Sequence, residues 1–346
     1  MKILNYTIYT VIRVFLFFGR WMPMAPTFFF MRVLGGLAYR LAGNRRALML
    51  YNLELALGAT TTAPEREHIA RESMISLFLS VGECLHMDQI YAHMDRHFTV
   101  EGEEHVRPLV EAKKGFFGFG AHLGGWMLPG AIYCVFPELP WANMVARPLR
   151  NPAMQEMLEY LAKNFDGSII TTRGTGQQIT DAVARGEMVG FYMDQESRRD
   201  QGIFVKFFGQ DANSHVVPGY LAWKHQIPFL HVWHVRTGPG KFRIILGKPI
   251  AYELTDDKDE NNRRVTQAIA SELEELIRAH PEQWLWAHNR WRRRPDGTKV
   301  ELFQKHKKKD RSQARKKGDY ISSKDLADQA RRKDEKSAID KPPSGK

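Results

Sequence analysis

The sequence predicts an α/β fold in which a largely parallel sheet is flanked by helices and preceded by N-terminal membrane-associated helices. From about residue 97 onward, short apolar runs alternate with segments of helical periodicity, which is typical of strand–helix units in a parallel sheet. Residues 1–42 hold two long apolar stretches interrupted by isolated arginines, and apolar residues become sparse beyond residue 303. We therefore expect membrane anchor helices at 1–42, an α/β domain at 43–303 and a disordered basic tail at 304–346.

The individual elements follow from the spacing of apolar residues. Helical periodicity predicts helices at 44–57 and from Pro64 to about 86. Strands are expected at 115–120, 140–146, 168–172, 188–193, 228–235 and 242–247. Helices are expected at 103–113, 124–136, 151–164, 175–186, 214–226 and 260–280.

Composition narrows the class of partner. The chain has 346 residues, 43% of them hydrophobic, and a net charge of +11. It can bury a full core, and the positive charge favours an anionic partner such as phospholipid headgroups, a phosphorylated glycolipid, an acidic carrier protein or nucleic acid. Two cysteines, Cys84 and Cys134, lie in apolar surroundings and predict buried free thiols. No spacing of cysteines or histidines predicts a metal site.

The tail carries most of the net charge. Residues 305–346 contain fifteen Lys or Arg against seven Asp or Glu, so eight of the eleven net positive charges lie there. A segment of this composition cannot bury enough surface to fold alone. It is either a solvated tail or a segment attracted to anionic lipid. We do not expect nucleic-acid binding, because no aromatic residues are interleaved with the charge.

The N-terminal region favours a helical anchor lying in the membrane interface. Residues 3–19 are mostly apolar but contain Arg13, and an arginine at the centre of a spanning helix costs roughly 2.5 kcal/mol or more. A second apolar stretch follows at 27–38. Arginines in an interfacial helix can extend to lipid headgroups. A single spanning helix at 3–22 and a pair of ordinary core helices remain alternatives.

His122 is the most informative residue of the α/β region. It follows the apolar, glycine-rich run Gly-Phe-Phe-Gly-Phe-Gly-Ala and precedes Leu-Gly-Gly-Trp-Met. The pattern predicts a buried strand with a histidine at its C-terminal end, where open α/β sheets bind ligands. A histidine in such a place can act as a general base. A lone histidine is more often only a polar residue with a structural partner.

The stretch resembles the His-x-Gly-Asn-Trp-Glu signature of the bacterial lipid A biosynthesis (late, or secondary) acyltransferases, within the lysophospholipid acyltransferase-like superfamily. His122, Gly124 and Trp126 match, Gly125 replaces the asparagine, and Met127 stands at the acidic position of the family's His-x4-Asp/Glu arrangement. The resemblance implies a membrane-associated acyltransferase without a cofactor. It would move a fatty acyl chain from acyl carrier protein to a hydroxyl of a lipid A precursor or related glycolipid, with His122 as general base. The implied location is the cytoplasmic face of the bacterial inner membrane, against its anionic surface.

Met127 leaves two hypotheses open. In the serine-protease triad a carboxylate fixes the histidine tautomer and stabilises the imidazolium, and a thioether, which is at best a weak acceptor, cannot do so. In the first, another carboxylate takes its place, and the sequence does not choose among Glu83, Asp194 and Glu196. The alternative is a catalytically impaired lipid-binding or scaffold relative on the same fold.

The segment 146–152 looks like the family's Arg-Pro-x-x-Asn-Pro motif. It predicts substrate contacts from Arg147 and Asn151 near the end of the second strand. The arginine's fork of donors suits a phosphate or a developing oxyanion, although an arginine at a proline-rich turn can be purely structural. The other candidate oxyanion donors are the backbone N–H groups of Gly124, Gly125 and Trp126.

A third segment gives the strongest match to the sequence pattern of the family. A strand ends in Asp194-Gln195, and the family's Val-x-Phe-Phe-Gly motif follows within 202–209. Asp194 is a candidate catalytic residue that orients His122 or the acceptor hydroxyl, and Gln195 is a candidate substrate contact. Asp194 can equally hold the following loop by accepting backbone N–H bonds.

The closing segment 281–295 is similar to the family's Pro-Glu-Gln-Trp-x-Trp-x-His-x-Arg motif. Three tryptophans are interleaved with four arginines here, which fits a membrane-interface belt with anionic headgroup contacts, and Arg290 is a candidate substrate contact. The rival interpretation is that Arg290 packs on an indole as a structural contact.

Overall fold

A computed structural model describes residues 21–147, 167–171, 175–197, 202–251 and 255–300, with Thr10, Gln155 and Glu253 as isolated positions. The predictions of a helix at 151–164, a contact from Asn151 and a disordered tail lie outside the described residues, as does most of the apolar stretch 3–19. The division at residues 42 and 303 stays a prediction.

The described elements alternate much as the sequence predicts. The helices are α1 (Met24–Leu41), α2 (Gly43–Leu57), α3 (Ala63–Leu85), α4 (Met87–Ala92), α5 (Met94–His97), α6 (Glu103–Glu111), α7 (Thr175–Ala184), α8 (Val217–His225) and α9 (Lys258–Ala279). The strands are β1 (Phe98–Glu101), β2 (Phe116–Gly120), β3 (Ala142–Ala146), β4 (Gly167–Thr171), β5 (Met188–Tyr192), β6 (Gly202–Phe207), β7 (Gln210–His215), β8 (Phe229–Gly238) and β9 (Lys241–Leu246). Short 3-10 helices lie at Pro129–Cys134 and Pro281–Gln283.

Seven strands form a largely parallel sheet in the order β1-β9-β8-β2-β5-β3-β4, which confirms the predicted α/β class. Neighbouring strands are parallel except β8 and β9. Strands β6 and β7 form a separate antiparallel hairpin. The neighbours β2 and β5 pair Gly120 with Tyr192, so the residues that follow these two strands emerge side by side at one edge of the sheet.

The segment after β2 differs from its prediction. A helix at 124–136 is wrong, because the chain makes turns and then only the 3-10 helix at Pro129–Cys134. Gly124 has a φ of 59°, in the left-handed region, and proline has no N–H for a helical hydrogen bond. Strands β1, β6 and β7 were not predicted, and β7 delays the start of the helix expected at 214–226.

Apolar side chains pack on both faces of the sheet. Successive residues of β2 alternate between the two layers: Phe117 and Phe119 pack in one hydrophobic cluster, and Phe116 packs in the other with Met188. The first cluster also receives residues of α2, α3, α8 and α9, and the second receives the 3-10 segment after β2. The central strands are therefore covered on both sides, and the polar chemistry is confined to their ends.

Helix α1, the described part of the predicted anchor, is apolar around most of its circumference. One face packs on α3, where Gly35 lies so close to Ile75 that a Cβ would overlap its backbone. The opposite side exposes six large apolar residues, which we call the α1 apolar face: Phe29, Phe30, Val33, Leu34, Leu37 and Leu41. Among the described helices none combines the length and hydropathy needed to cross a bilayer.

Candidate active site

His122 and Asp194 meet at the carboxyl ends of β2 and β5. The Nδ1 atom of His122 lies 2.8 Å from Oδ1 of Asp194, and the backbone N–H of His122 donates to Oδ2 at 3.0 Å. Two bonds from one carboxylate fix both the backbone and the ring of the histidine. If Nδ1 carries the proton, the outer nitrogen Nε2 has a free lone pair, as a general base requires.

The surroundings of Asp194 keep its carboxyl ionised. The side chain is 2% exposed, and burial alone would raise its pKa. The charge and hydrogen bonds of His122, together with the Trp284 indole N–H at 2.8 Å, outweigh burial and hold the pKa of Asp194 well below its usual range. An ionised carboxylate here can stabilise an imidazolium on His122.

The other two candidate carboxylates have different partners. Glu83 is fully buried in an ion pair with Arg236, and Glu196 bonds to Arg293, whose Nη1 lies 2.6 Å from its Oε2. The choice that the sequence left open therefore falls on Asp194, because the sheet order places β5 beside β2.

Met127, at the family's acidic position, packs against a thiol. Its Sδ atom lies 3.6 Å from Sγ of Cys84, and burial raises the pKa of Cys84 to about 12. Such surroundings favour neutral groups over charged ones. The sulfur–sulfur contact accounts for methionine at this position as a packing residue.

We expect Met127→Glu to leave the kcat of the reaction at this site unchanged within about twofold or to lower it. The orienting carboxylate is already supplied by Asp194, and a buried glutamate beside Cys84 would be neutral or destabilising. Met127→Gln is the matched control, because it introduces a polar group without an acid. A gain of tenfold or more with glutamate but not glutamine would mean that the carboxylate is missing.

Three side chains surround the imidazole. The rings of Trp126 and Tyr192 each lie 4.7 Å from the His122 ring, centroid to centroid. The Gln195 amide nitrogen lies 3.2 Å from Nε2 and 3.4 Å from Nδ1. Tyr192 donates its hydroxyl proton to the Trp126 carbonyl, which ties the aromatic pair together. The predicted residues Trp126 and Gln195 thus lie at the ring, and its side chain remains 14% exposed.

The proposed backbone oxyanion donors fall into two groups. The prediction is wrong for Gly124 and Gly125, because their N–H groups donate to the carbonyls of Gln283, at 3.4 Å, and His234, at 2.8 Å. No acceptor for the N–H of Trp126 lies within the described parts of the chain. Gly124 and Gly125 therefore shape the turn, and Trp126 remains available.

Arg147 lies one residue beyond β3 and is exposed. Burial lowers the pKa of His215 to about 4, and the charges of Arg147 and Arg290 add to that effect. The exposed guanidinium of Arg147 can meet an anion at the edge of the sheet that carries His122, whereas Asn151 is outside the described residues.

Arg236 is a positioning residue that the sequence did not single out. Its guanidinium pairs with Glu83, with Nη2 2.9 Å from Oε2, and donates to the Gly124 carbonyl at 2.9 Å. It also donates to Ser76 Oγ at 2.7 Å and Ser80 Oγ at 3.0 Å. The signal in the sequence for such a role is that this arginine lies within the mostly apolar strand β8. This network fastens the turn after His122 to α3.

The closing segment is part of the core, so its interpretation as a membrane belt is wrong. Trp284, Trp286 and Trp291 are all at most 3% exposed. Arg290 is 1% exposed and donates to Asn213 O at 2.8 Å and Ser214 Oγ at 2.5 Å. Its guanidinium lies over the Phe207 ring, and burial lowers its pKa to about 10. The prediction that Arg290 contacts a headgroup is therefore wrong.

The closing segment holds two residues of the site in place by hydrogen bonds. Leu285 donates its N–H to the His122 carbonyl at 3.0 Å, and Trp284 bonds to Asp194 as described above. Within the described ranges no three His, Cys, Asp or Glu residues are grouped as a metal would require. The arrangement is that of a base held by a carboxylate.

Comparison with known proteins agrees with this geometry. A model of the bacterial lipid A biosynthesis acyltransferase family matches residues 1–293. The lipid A biosynthesis acyltransferase of Haemophilus influenzae is 26% identical over 212 residues, which cover 59% of this chain and 62% of the relative, less than two thirds of its length. The Escherichia coli lauroyltransferase and palmitoleoyltransferase of lipid A biosynthesis are 26% and 25% identical over 76% of this chain and 84% of their own lengths. The match over most of its length shows that the chain belongs to the bacterial lipid A biosynthesis acyltransferase family.

Proposed function

We propose that the protein is an acyltransferase that moves a fatty acyl chain from acyl carrier protein to a hydroxyl of a lipid A precursor or related glycolipid. The observation that carries the proposal is the contact between His122 and the ionised Asp194. Through this contact Asp194 supplies the carboxylate that is absent at position 127, where the family has an acidic residue.

The reaction needs one base and one oxyanion site. Nε2 of His122 takes the proton of the acceptor hydroxyl while the hydroxyl oxygen attacks the thioester carbonyl. The tetrahedral oxyanion then collapses, the carbon–sulfur bond breaks, and the carrier thiolate takes the proton back from the imidazolium. Asp194 stabilises that imidazolium through Nδ1. No acyl-enzyme forms, since the hydroxyl attacks directly.

Gln195 and the oxyanion donors complete the site. The Gln195 amide occupies the place beside Nε2 that the acceptor hydroxyl must take, so we expect it to turn aside and bond the substrate instead. The N–H of Trp126 and the exposed guanidinium of Arg147 are the candidate donors to the oxyanion. Each would act where negative charge develops in the transition state.

The test is acyl transfer in vitro. Purified full-length protein in detergent receives radiolabelled acyl–acyl carrier protein and a lipid A precursor, and labelled glycolipid is followed by chromatography. We expect product that depends on both substrates. Labelled free fatty acid without labelled glycolipid would indicate hydrolysis alone, and no consumption of the thioester would favour the lipid-binding alternative.

We further propose that the protein lies on the cytoplasmic face of the bacterial inner membrane, where a soluble carrier protein and a lipid acceptor can both reach it. The α1 apolar face supports this proposal, because Phe29 is 65% exposed and five further large apolar residues extend the same side. Arg32, 57% exposed on the neighbouring side, pairs with Glu72 at 2.9 Å and keeps a guanidinium at the surface beside this face.

Charges placed on the α1 apolar face should release the protein from lipid. We expect Phe29→Glu/Leu37→Glu to weaken binding to phosphatidylethanolamine–phosphatidylglycerol vesicles about a hundredfold, because two apolar contacts are lost, as measured by flotation. Val217→Glu is the matched control, since Val217 is an exposed apolar residue on α8. Equal binding by the double variant and the control would contradict a role for this face.

A further inference from the structure

Three glycines leave a strip of the central sheet without side chains. Gly118 and Gly120 belong to β2, and Gly190 of β5 is the register partner of Gly118. Because alternate residues of a strand face the same side, all three point to the face that carries Tyr192. Glycine inside a strand weakens it and often marks a place where a ligand approaches the backbone. We call these residues the glycine strip.

Two methionines lie across the glycine strip. A Cβ built on Gly118 would overlap the terminal methyl of Met188, and one on Gly190 would overlap the sulfur of Met144. Methionine side chains are unbranched and adapt readily to the shape of their neighbours. The space above the strip is thus covered by side chains that can move away.

A groove over the strip leads to His122. With the methionines in place it is narrow, with a cavity volume of about 40 Å³, and its lining includes Trp126, Tyr192, Pro129 and Val232 besides the glycines and methionines. Trp126 and Tyr192 are the two aromatic residues that contact the His122 ring. The groove therefore begins beside the base and continues along the sheet over apolar atoms.

The register gives the groove a direction. Along β5, Tyr192 lies at the end next to His122 and Gly190 lies in the middle, where it pairs with Met144. Met188 lies at the start of β5 and pairs with Phe116. Tyr192 lies four positions after Met188, which is about 13 Å along a strand. Met144 is thus a side wall, and Met188 starts at the far end and reaches back over Gly118, so it blocks the groove from there to the far end.

We propose that the glycine strip is the floor of the fatty-chain site for the acyl donor, and that Met144 and Met188 set the chain length it accepts. This inference rests on the proposed function. The thioester carbonyl must lie beside Nε2, so its chain needs a narrow apolar space that begins there. A strip without side chains admits an unbranched chain against the backbone.

The test measures the preferred chain length. The full chain receives an equimolar mixture of acyl–acyl carrier proteins with 10 to 16 carbons, chosen at about two-carbon steps because one methylene in an apolar pocket can change selection tenfold or more. Mass spectrometry of the acylated glycolipid gives the product ratios. Met188→Ala opens the far end and is expected to shift the ratio of longer to shorter chains upward by about tenfold.

Gly190→Ala should act in the opposite direction. The added methyl group raises the floor between His122 and the far end, and the ratio of longer to shorter chains is expected to fall by about tenfold. Met74→Ala is the matched control, because Met74 is a buried methionine in the cluster on the other face of the sheet. It should lower stability without moving the product ratio.

Binding of free fatty acids separates this inference from the proposed function. Displacement of a fluorescent fatty acid by decanoic to hexadecanoic acid is measured for the parent, for Met188→Ala and for Gly190→Ala. If the parent transfers acyl chains but all variants share its length profile in both assays, the inference is overturned and the function stands. If the parent transfers nothing yet Met188→Ala shifts the binding profile, the groove is supported and the proposed function fails.

Discussion

Replacing Asp194 with asparagine is expected to lower the acyl-transfer kcat by about ten-thousand-fold, the effect of the equivalent change in the serine-protease triad. Asparagine keeps an oxygen for the Trp284 indole and the His122 N–H but removes the negative charge. Its amide can donate to Nδ1, which would place the ring proton on Nε2 and abolish the base. KM for the acyl carrier protein should change little, since Asp194 is buried and acts through the His122 ring.

Steady-state kinetics on the folded variant check this expectation. Thermal unfolding of Asp194→Asn must first show a cooperative transition near that of the parent. Glu196→Gln is the matched control, because Glu196 is also a carboxylate beyond β5 but bonds to Arg293. A kcat for Asp194→Asn within tenfold of the parent would remove Asp194 from the mechanism.

The second large effect is expected from His122→Ala. Loss of the base should lower kcat on the order of a million-fold, as for the histidine of a protease triad, and leave only what binding and the oxyanion donors contribute. Single-turnover assays with saturating acyl–acyl carrier protein can measure so slow a rate.

His225→Ala provides the control for this variant, because His225 lies at the end of α8 and has no role in the proposed chemistry. It should retain the parent rate. Parent-like transfer by His122→Ala would show that the proton goes to another group, and the proposal of His122 as general base would fail.

Much of the fold follows from the period of apolar residues, but the order of strands does not. The runs at β2 and β5 are continuous because those strands are buried, and β9 alternates between buried and more exposed residues, so these positions were predictable. Strand β7, with the sequence Gln-Asp-Ala-Asn-Ser-His, is too polar to be recognised, since its side chains find partners such as Arg290 only after folding. The 3-10 segment was misread because Gly124 and Pro129 interrupt an otherwise apolar run.

Of the two residues in the candidate catalytic pair, only the histidine could be identified from the sequence. His122 stands out because a polar residue follows an apolar, glycine-rich strand. Its carboxylate was undetermined, since Asp194, Glu83 and Glu196 differ only in which elements become neighbours. Arg290 was placed at the surface for a related reason, because charged residues are expected there. The carbonyl and hydroxyl groups that accept its hydrogen bonds lie on β7, which was not predicted.

The most direct test of the account is a double-mutant cycle on kcat with His122→Ala, Asp194→Asn and the combined variant. If Asp194 acts only through the imidazole, the combined variant should be no slower than His122→Ala, because residues that act as a unit are far from additive. Losses that multiply in the combined variant would mean that the two side chains work independently, and the pair at the ends of β2 and β5 would not be the catalytic unit.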